Sequence, residues 1–187
     1  MKKLISFVMV MCFAMPNLVS AQDEVNDNKF YVGGSLGFTQ NFVDGESTTN
    51  TFELKPELGY NINDKLSLGL ALGFSRDKVK DVDGDTKTFS INPYLRYAFY
   101  RNGKVSIFCD GGFSYDHRNH YDAKSNGFEI GLYPGVSYQI SSKFSLVAHL
   151  GSLAYQYNKP EGDGAVSASS FGLNLWNGTA FGLYFHF

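Results

Sequence analysis

The sequence is short of cysteine, of long apolar runs and of clustered charge. Its two cysteines are Cys12 and Cys109, and Cys12 lies in a leader expected to be removed. Cys109 is then alone, which excludes an intrachain disulfide and a cysteine-built metal site. No apolar stretch approaches the roughly 20 residues that a membrane-spanning helix needs. Lysine and arginine number 16 against 18 aspartates and glutamates, without a basic cluster. Nucleic acid is therefore not expected as a partner, since phosphate-backbone binding needs such a patch.

Met1 to Ala21 has the form of a secretory signal peptide. Lys2 and Lys3 make a positive start, Leu4 to Met15 an apolar centre, and Val19-Ser20-Ala21 a small-residue cleavage site. Cys12 lies too far before that site to be a lipid-modified cysteine. Removal leaves 14 basic against 18 acidic residues, a net charge of −4. Residues 22–28 are expected to form a short polar lead and 29–187 a single domain.

What the chain has in quantity is alternation. Bulky apolar residues recur at every second position, the period of a β-strand. The clearest run sets Leu66, Leu68, Leu70, Leu72 and Phe74 against Ser67, Gly69, Ala71, Gly73 and Ser75. Similar runs start near Phe30, Phe52, Phe89, Val105, Phe128 and Phe144, and an eighth spans Phe171 to Phe187. In the run from Phe144 the bulky parity switches between Leu150 and Leu153, which predicts a bulge near Gly151-Ser152.

A repeat orders these strands. Tyr60 to Leu68 and Tyr138 to Leu146 share the pattern Tyr-x-Ile-x-x-Lys-x-Ser-Leu, and Tyr97 to Ile107 is a version two residues longer. The tyrosines stand 37 and 41 residues apart, about one hairpin each. Three tight turns result. The other four connections, roughly Val43 to Asn50, Val79 to Lys87, His117 to Asn126 and Asn158 to Ser167, read as longer polar loops. Alternation in eight strands without a sequestered edge predicts an all-β, closed, eight-stranded antiparallel up-and-down barrel.

Such a barrel could be soluble, with an apolar cavity, or membrane-spanning. A water-facing strand surface carries charges and long polar side chains, whereas Ser67-Gly69-Ala71-Gly73 is nearly stripped of volume. Small residues fit the inside of a narrow barrel, which places the uncharged bulky faces in lipid. Aromatic residues also sort by height. Phe30, Tyr60, Tyr97, Phe99, Tyr138, Phe144, Phe185 and Phe187 gather at the turn end, and Phe52, Phe74, Phe89, Phe113, Phe128 and Phe171 at the loop end. Two interfacial girdles are expected. Pro56, Pro93 and Pro134 lack a backbone donor and predict local bulges or compensating contacts.

The closing segment Gly182-x-x-Phe185-x-Phe187 is similar to the carboxy-terminal assembly signal of bacterial outer-membrane barrels. In that family a polar residue precedes the motif, where this chain has Ala180. With the leader, the eight strands and the turn and loop asymmetry, the whole mature chain resembles small outer-membrane proteins of the OmpX and OmpA-barrel type. The resemblance implies the outer membrane as location, with turns toward the periplasm and loops outside. Its implied partners are outer-membrane lipid and the barrel-assembly machinery, the latter through Gly182, Phe185 and Phe187. It further implies a monomer, no cofactor, and a structural or surface-interaction role through the loops, whose ligand is unknown. Within the class, enzymes that modify lipid A and narrow channels are the alternatives.

The interior carries the chemistry. Glu53, Lys55, Glu57, Arg96, Asp110, Glu129 and His149 fall on inward positions, and an eight-stranded barrel is just wide enough to be filled by side chains. Opposite charges are expected to pair across the lumen as a plug, because an unpaired buried charge is costly. His117-x-x-His120 and Asp81-Val-Asp83-Gly-Asp85 offer metal-like spacings, but on loops they fix no geometry, and no metal site is expected. No His-x-Ser motif of the lipid A deacylases is present, so no catalytic residue is assigned and a non-enzymatic protein is expected.

Overall fold

The structure, a computed structural model, describes residues 29–43, 46–79, 84–120, 123–162 and 165–187, with strand side chains other than 39–43, 46–48, 120 and 175–180. The expected signal peptide, the lead, and Asp81, Asp83 and Asp122 lie outside the described residues, as does the side chain of His120.

Eight strands run up and down: β1 (Phe30–Val43), β2 (Glu46–Asn61), β3 (Leu66–Val79), β4 (Asp85–Asn102), β5 (Val105–His120), β6 (Ala123–Gln139), β7 (Phe144–Pro160) and β8 (Ala168–His186). Each pairs antiparallel with its neighbours and β8 returns to β1, closing the barrel. The seam carries five register pairs, from Tyr31↔His186 to Ser35↔Gly182. Phe30 and Phe187 lock its end by exchanging N–H···O bonds, both 2.9 Å. Over these pairs the two terminal strands satisfy each other's backbone groups within the protein, as a hydrocarbon environment requires.

The alternation becomes two surfaces. Along β3, Ser67, Gly69, Ala71 and Gly73 are buried, while Leu68, Leu70 and Phe74 are exposed. The outward face is too apolar for water: Leu36 is 71% exposed, Phe38 70% and Ile130 62%. Aromatic girdles flank it. At the turn end Phe30 meets Tyr60 (ring centroids 5.0 Å) and Phe187 (6.0 Å), Phe187 meets Phe185 (6.0 Å), and Phe185 meets Phe144 (5.2 Å). At the loop end Phe74 meets Phe89 at 5.1 Å and Phe113 meets Phe128 at 5.9 Å. These are lipid-interface contacts.

The repeat in the sequence is a repeat in hydrogen bonding. In the β2–β3 turn the Asn63 side chain accepts from the N–H of Lys65 and Leu66, both 2.9 Å. Ser141, at the same place in the β6–β7 turn, accepts from Lys143 (3.4 Å) and Phe144 (3.2 Å). The β4–β5 turn is tighter, with Gly103 at φ +54°, a conformation that glycine adopts at little cost. Its extra length is taken up by a register shift between Ala98 and Tyr100.

Two expectations need correction. Most residues assigned to long loops are paired strand: β1 reaches Val43, β2 starts at Glu46, β5 reaches His120 and β6 starts at Ala123. Polar residues there still form ladder pairs, such as His117↔Asn126, so the hairpins continue past the apolar band. The prolines do not all produce bulges. Only Pro134 lies at a register shift, between Leu132 and Gly135 of β6–β7. Pro56 stays paired with Gly34 and Pro93 with Leu70. On their other sides the pairing skips Lys55-Pro56 and Asn92-Pro93 without changing register. A missing donor interrupts the ladder on one side and leaves the other intact. The β7 parity switch falls at a register shift between His149 and Gly151.

Candidate functional site

The inward faces of the turn-end half meet in a polar and aromatic cluster. Strand pleating sends Tyr31, Glu57, Tyr94, Arg96, Phe108, Asp110, Val147, His149 and Tyr184 to the same side of the sheet. Glu57, 5% exposed, accepts from Tyr94 at 2.9 Å and from Tyr184 at 2.7 Å. Tyr31 and Tyr94 share a hydroxyl contact of 3.0 Å. Below the carboxylate, Arg96 grips Asp110 through two bonds of 2.8 Å, and His149 Nε2 lies 2.9 Å from the second Asp110 oxygen. The guanidinium stacks 4.1 Å above the Phe108 ring. Such a bidentate, ring-covered pair satisfies a buried arginine.

The predicted residues thus divide. Arg96, Asp110 and His149 come together, but Arg96 and Asp110 are register partners on β4 and β5, so this pair does not cross the lumen. The bonds between non-adjacent strands run from Tyr94 and Tyr184 to Glu57, from Tyr31 to Tyr94 and from His149 to Asp110. In the loop-end half, Glu129 accepts from Tyr133 and Gln156, and Asp116 accepts from Ser114 at 2.8 Å. Glu53 and Lys55 make no hydrogen bond or ion pair with a described residue, and Glu53 is exposed. The tyrosines around Glu57 were missed because a Tyr on a strand reads equally as girdle or interior. Their inward parity was the available signal.

The glycines of the small faces make room for these rings. A Cβ on Gly59 would lie 2.0 Å from Tyr31 Cζ, and one on Gly69 would lie 2.2 Å from Tyr94 Cζ. Side chain and backbone interlock at these positions.

Of the other candidates, Asp81, Asp83 and the side chain of His120 lie outside the described residues. Among the described residues, no group of three His, Cys, Asp or Glu is placed to hold a metal. His117 Nδ1 is 2.8 Å from Asn126 Oδ1, and Asp85 receives Arg76. A serine and a histidine do meet, Ser145 Oγ and His186 Nε2 at 2.7 Å. Ser145 is buried, and the Nδ1 of His186 has no hydrogen-bond partner among the described residues, where a nucleophile and base would need an orienting group. Gly182 and Tyr184 are buried on the lumen side of β8, while Phe185 and Phe187 stand in the turn-end girdle.

A closed eight-stranded barrel, apolar and aromatic-belted outside and polar within, defines an integral outer-membrane β-barrel protein. The sequence matches the model of the outer membrane protein beta-barrel domain over residues 5–176. The chain belongs to that family, and its place is the outer membrane. No curated protein matches the sequence. Among solved structures, the Neisserial surface protein A is similar at 23% identity, covering 84% of this chain and 97% of that one, with a TM-score of 0.52. OprG from Pseudomonas aeruginosa is similar at 13% identity, covering 88% and 99%, with a TM-score of 0.55. A major outer membrane protein from Thermus thermophilus is similar at 14% identity, covering 86% and 100%, with a TM-score of 0.52. At these identities the likeness is one of fold.

Proposed function

We propose that this protein is a non-enzymatic outer-membrane barrel with a structural or surface-interaction role, carried by the hairpin ends that project past the loop-end girdle. Its lumen is plugged and passes no solute. The observation that carries this reading is the network at Glu57 and Asp110: three tyrosines, Arg96 and His149 occupy the turn-end half and satisfy one another. Charges held this way stabilise a closed interior, because removing any one partner strands another. The hairpin ends carry the polar, exposed side chains where recognition is usually found. The protein acts as a monomer, delivered to lipid by the barrel-assembly machinery through Gly182, Phe185 and Phe187.

Planar-bilayer recording on the purified protein tests the plug. Negligible conductance is expected, and discrete, reproducible steps would overturn the reading in favour of a narrow channel. In parallel, lipid A mass spectra of a deletion strain should match those of the parent; a changed acylation pattern would indicate a lipid A-modifying enzyme.

A further inference from the structure

The sequence repeat that sets the tight turns also sets a lysine in each. Lys65, Lys104 and Lys143 occupy the turns, and Lys29 precedes β1. The structure places all four equivalently: each lysine's backbone carbonyl accepts an N–H from a flanking strand. Asn61 donates to Lys29 (2.7 Å), Ala98 to Lys65, Gln139 to Lys104 and His186 to Lys143, the last three at 2.8 Å. The donors lie on β2, β4, β6 and β8, so the lysines recur every second strand around the rim.

Their surroundings are those of a membrane interface. Each directly precedes a bulky residue of the lipid face, Phe30, Leu66, Val105 or Phe144, and all four are exposed. None forms an ion pair with a described residue. Among the described residues of the tight turns the sole acid is Asp64, although the sequence as a whole carries a formal net charge of −2. A ring of ammonium groups without an ion-pair partner among the described residues, at headgroup height, calls for anionic phosphate.

We infer that this rim is a binding ring for anionic phospholipid headgroups of the periplasmic leaflet. Each ammonium snorkels past the turn-end girdle to a lipid phosphate, and the ring holds an annulus of acidic lipid around the barrel base. The inference needs the turn-down orientation but not a plugged lumen, so failure of one does not entail failure of the other.

The test uses spin-labelled phosphatidylglycerol and phosphatidylcholine in bilayers containing the folded full-length protein, reading the share of each lipid immobilised at its surface. A preference for phosphatidylglycerol of about fivefold per engaged lysine is the upper expectation at low salt. The preference should fall as salt rises. The variant K29Q/K65Q/K104Q/K143Q should lose most of it, and K78Q/K87Q/K124Q/K159Q at the loop end should keep it. Equal loss in both variants, or retention in the turn-end variant, overturns the inference. If the turn-end variant does not fold, the salt titration of the unaltered protein decides: a preference that salt does not weaken also overturns it.

Discussion

At the scale of the residue, the molecule is a set of large-to-small contacts on a curved wall. Tyr31, Tyr94, Tyr184 and Phe108 are buried inside the barrel because glycines on neighbouring strands leave space for their rings. A Cβ on Gly135, for example, would stand 2.3 Å from Phe108 Cζ. A methyl group there has nowhere to go, since the opposing atom is part of a ring locked by its own hydrogen bond or stacking. Gly69→Ala is therefore expected to destabilise the folded barrel by about 1–3 kcal/mol, the range for overpacked interiors. Gly111→Ala, whose new Cβ would meet only Leu132 Cδ2 at 3.7 Å, should change stability by less than about 0.5 kcal/mol. Denaturant unfolding of both variants in lipid vesicles makes the comparison; equal effects would show that the tyrosine packing does not constrain the wall.

At the scale of the element, each strand does two jobs along its length. Its central part alternates between lumen and lipid, and its outer part continues as a polar ladder in water. On β3 the change comes after Phe74, where Arg76 and Asp77 replace leucines. Asp77 receives the Thr51 hydroxyl at 2.7 Å, and Arg76 binds Asp85 of β4 at 2.7 Å through Nε. Charge should therefore be tolerated by height. Leu70→Arg, on the lipid face, is expected to lower folding stability by about 2–4 kcal/mol in bilayers, and Val79→Arg by no more than about 1 kcal/mol. Comparable losses at both positions would contradict the assigned membrane band. The strand ends were hidden in the sequence for a physical reason. Period two marks a strand only while its two faces meet different solvents, and above the membrane both faces of Lys87-Thr88 or Ser125-Asn126 meet water. Asp, Asn, Gly and Ser then read as loop although the ladder continues through them.

At the scale of the whole molecule, the strand number, order and outward face were legible because lipid imposes a simple rule on every strand: Leu66 to Phe74 bulky and uncharged outside, Ser67 to Ser75 small inside. The register of the interior was less legible. Alternation tells which side of the sheet Arg96 and Asp110 occupy, but not that the two are opposed on adjacent strands, nor that Glu57 lies level with Tyr94 and Tyr184. Those facts depend on stagger between strands, which the register shifts at Ala98/Tyr100 and Leu132/Gly135 change by one residue and the shift at His149/Gly151 by three. The central claim is that the barrel closes with its bulky face in lipid. Gel mobility of the outer-membrane fraction, with and without boiling, tests it most directly. A closed barrel resists detergent until heated, because no strand can unpair without exposing backbone groups. The account predicts a compact, faster species that shifts to the unfolded position only after boiling. A protein recovered in the soluble periplasmic fraction with the same mobility under both conditions would contradict it, and would mean that the two faces are assigned inside out.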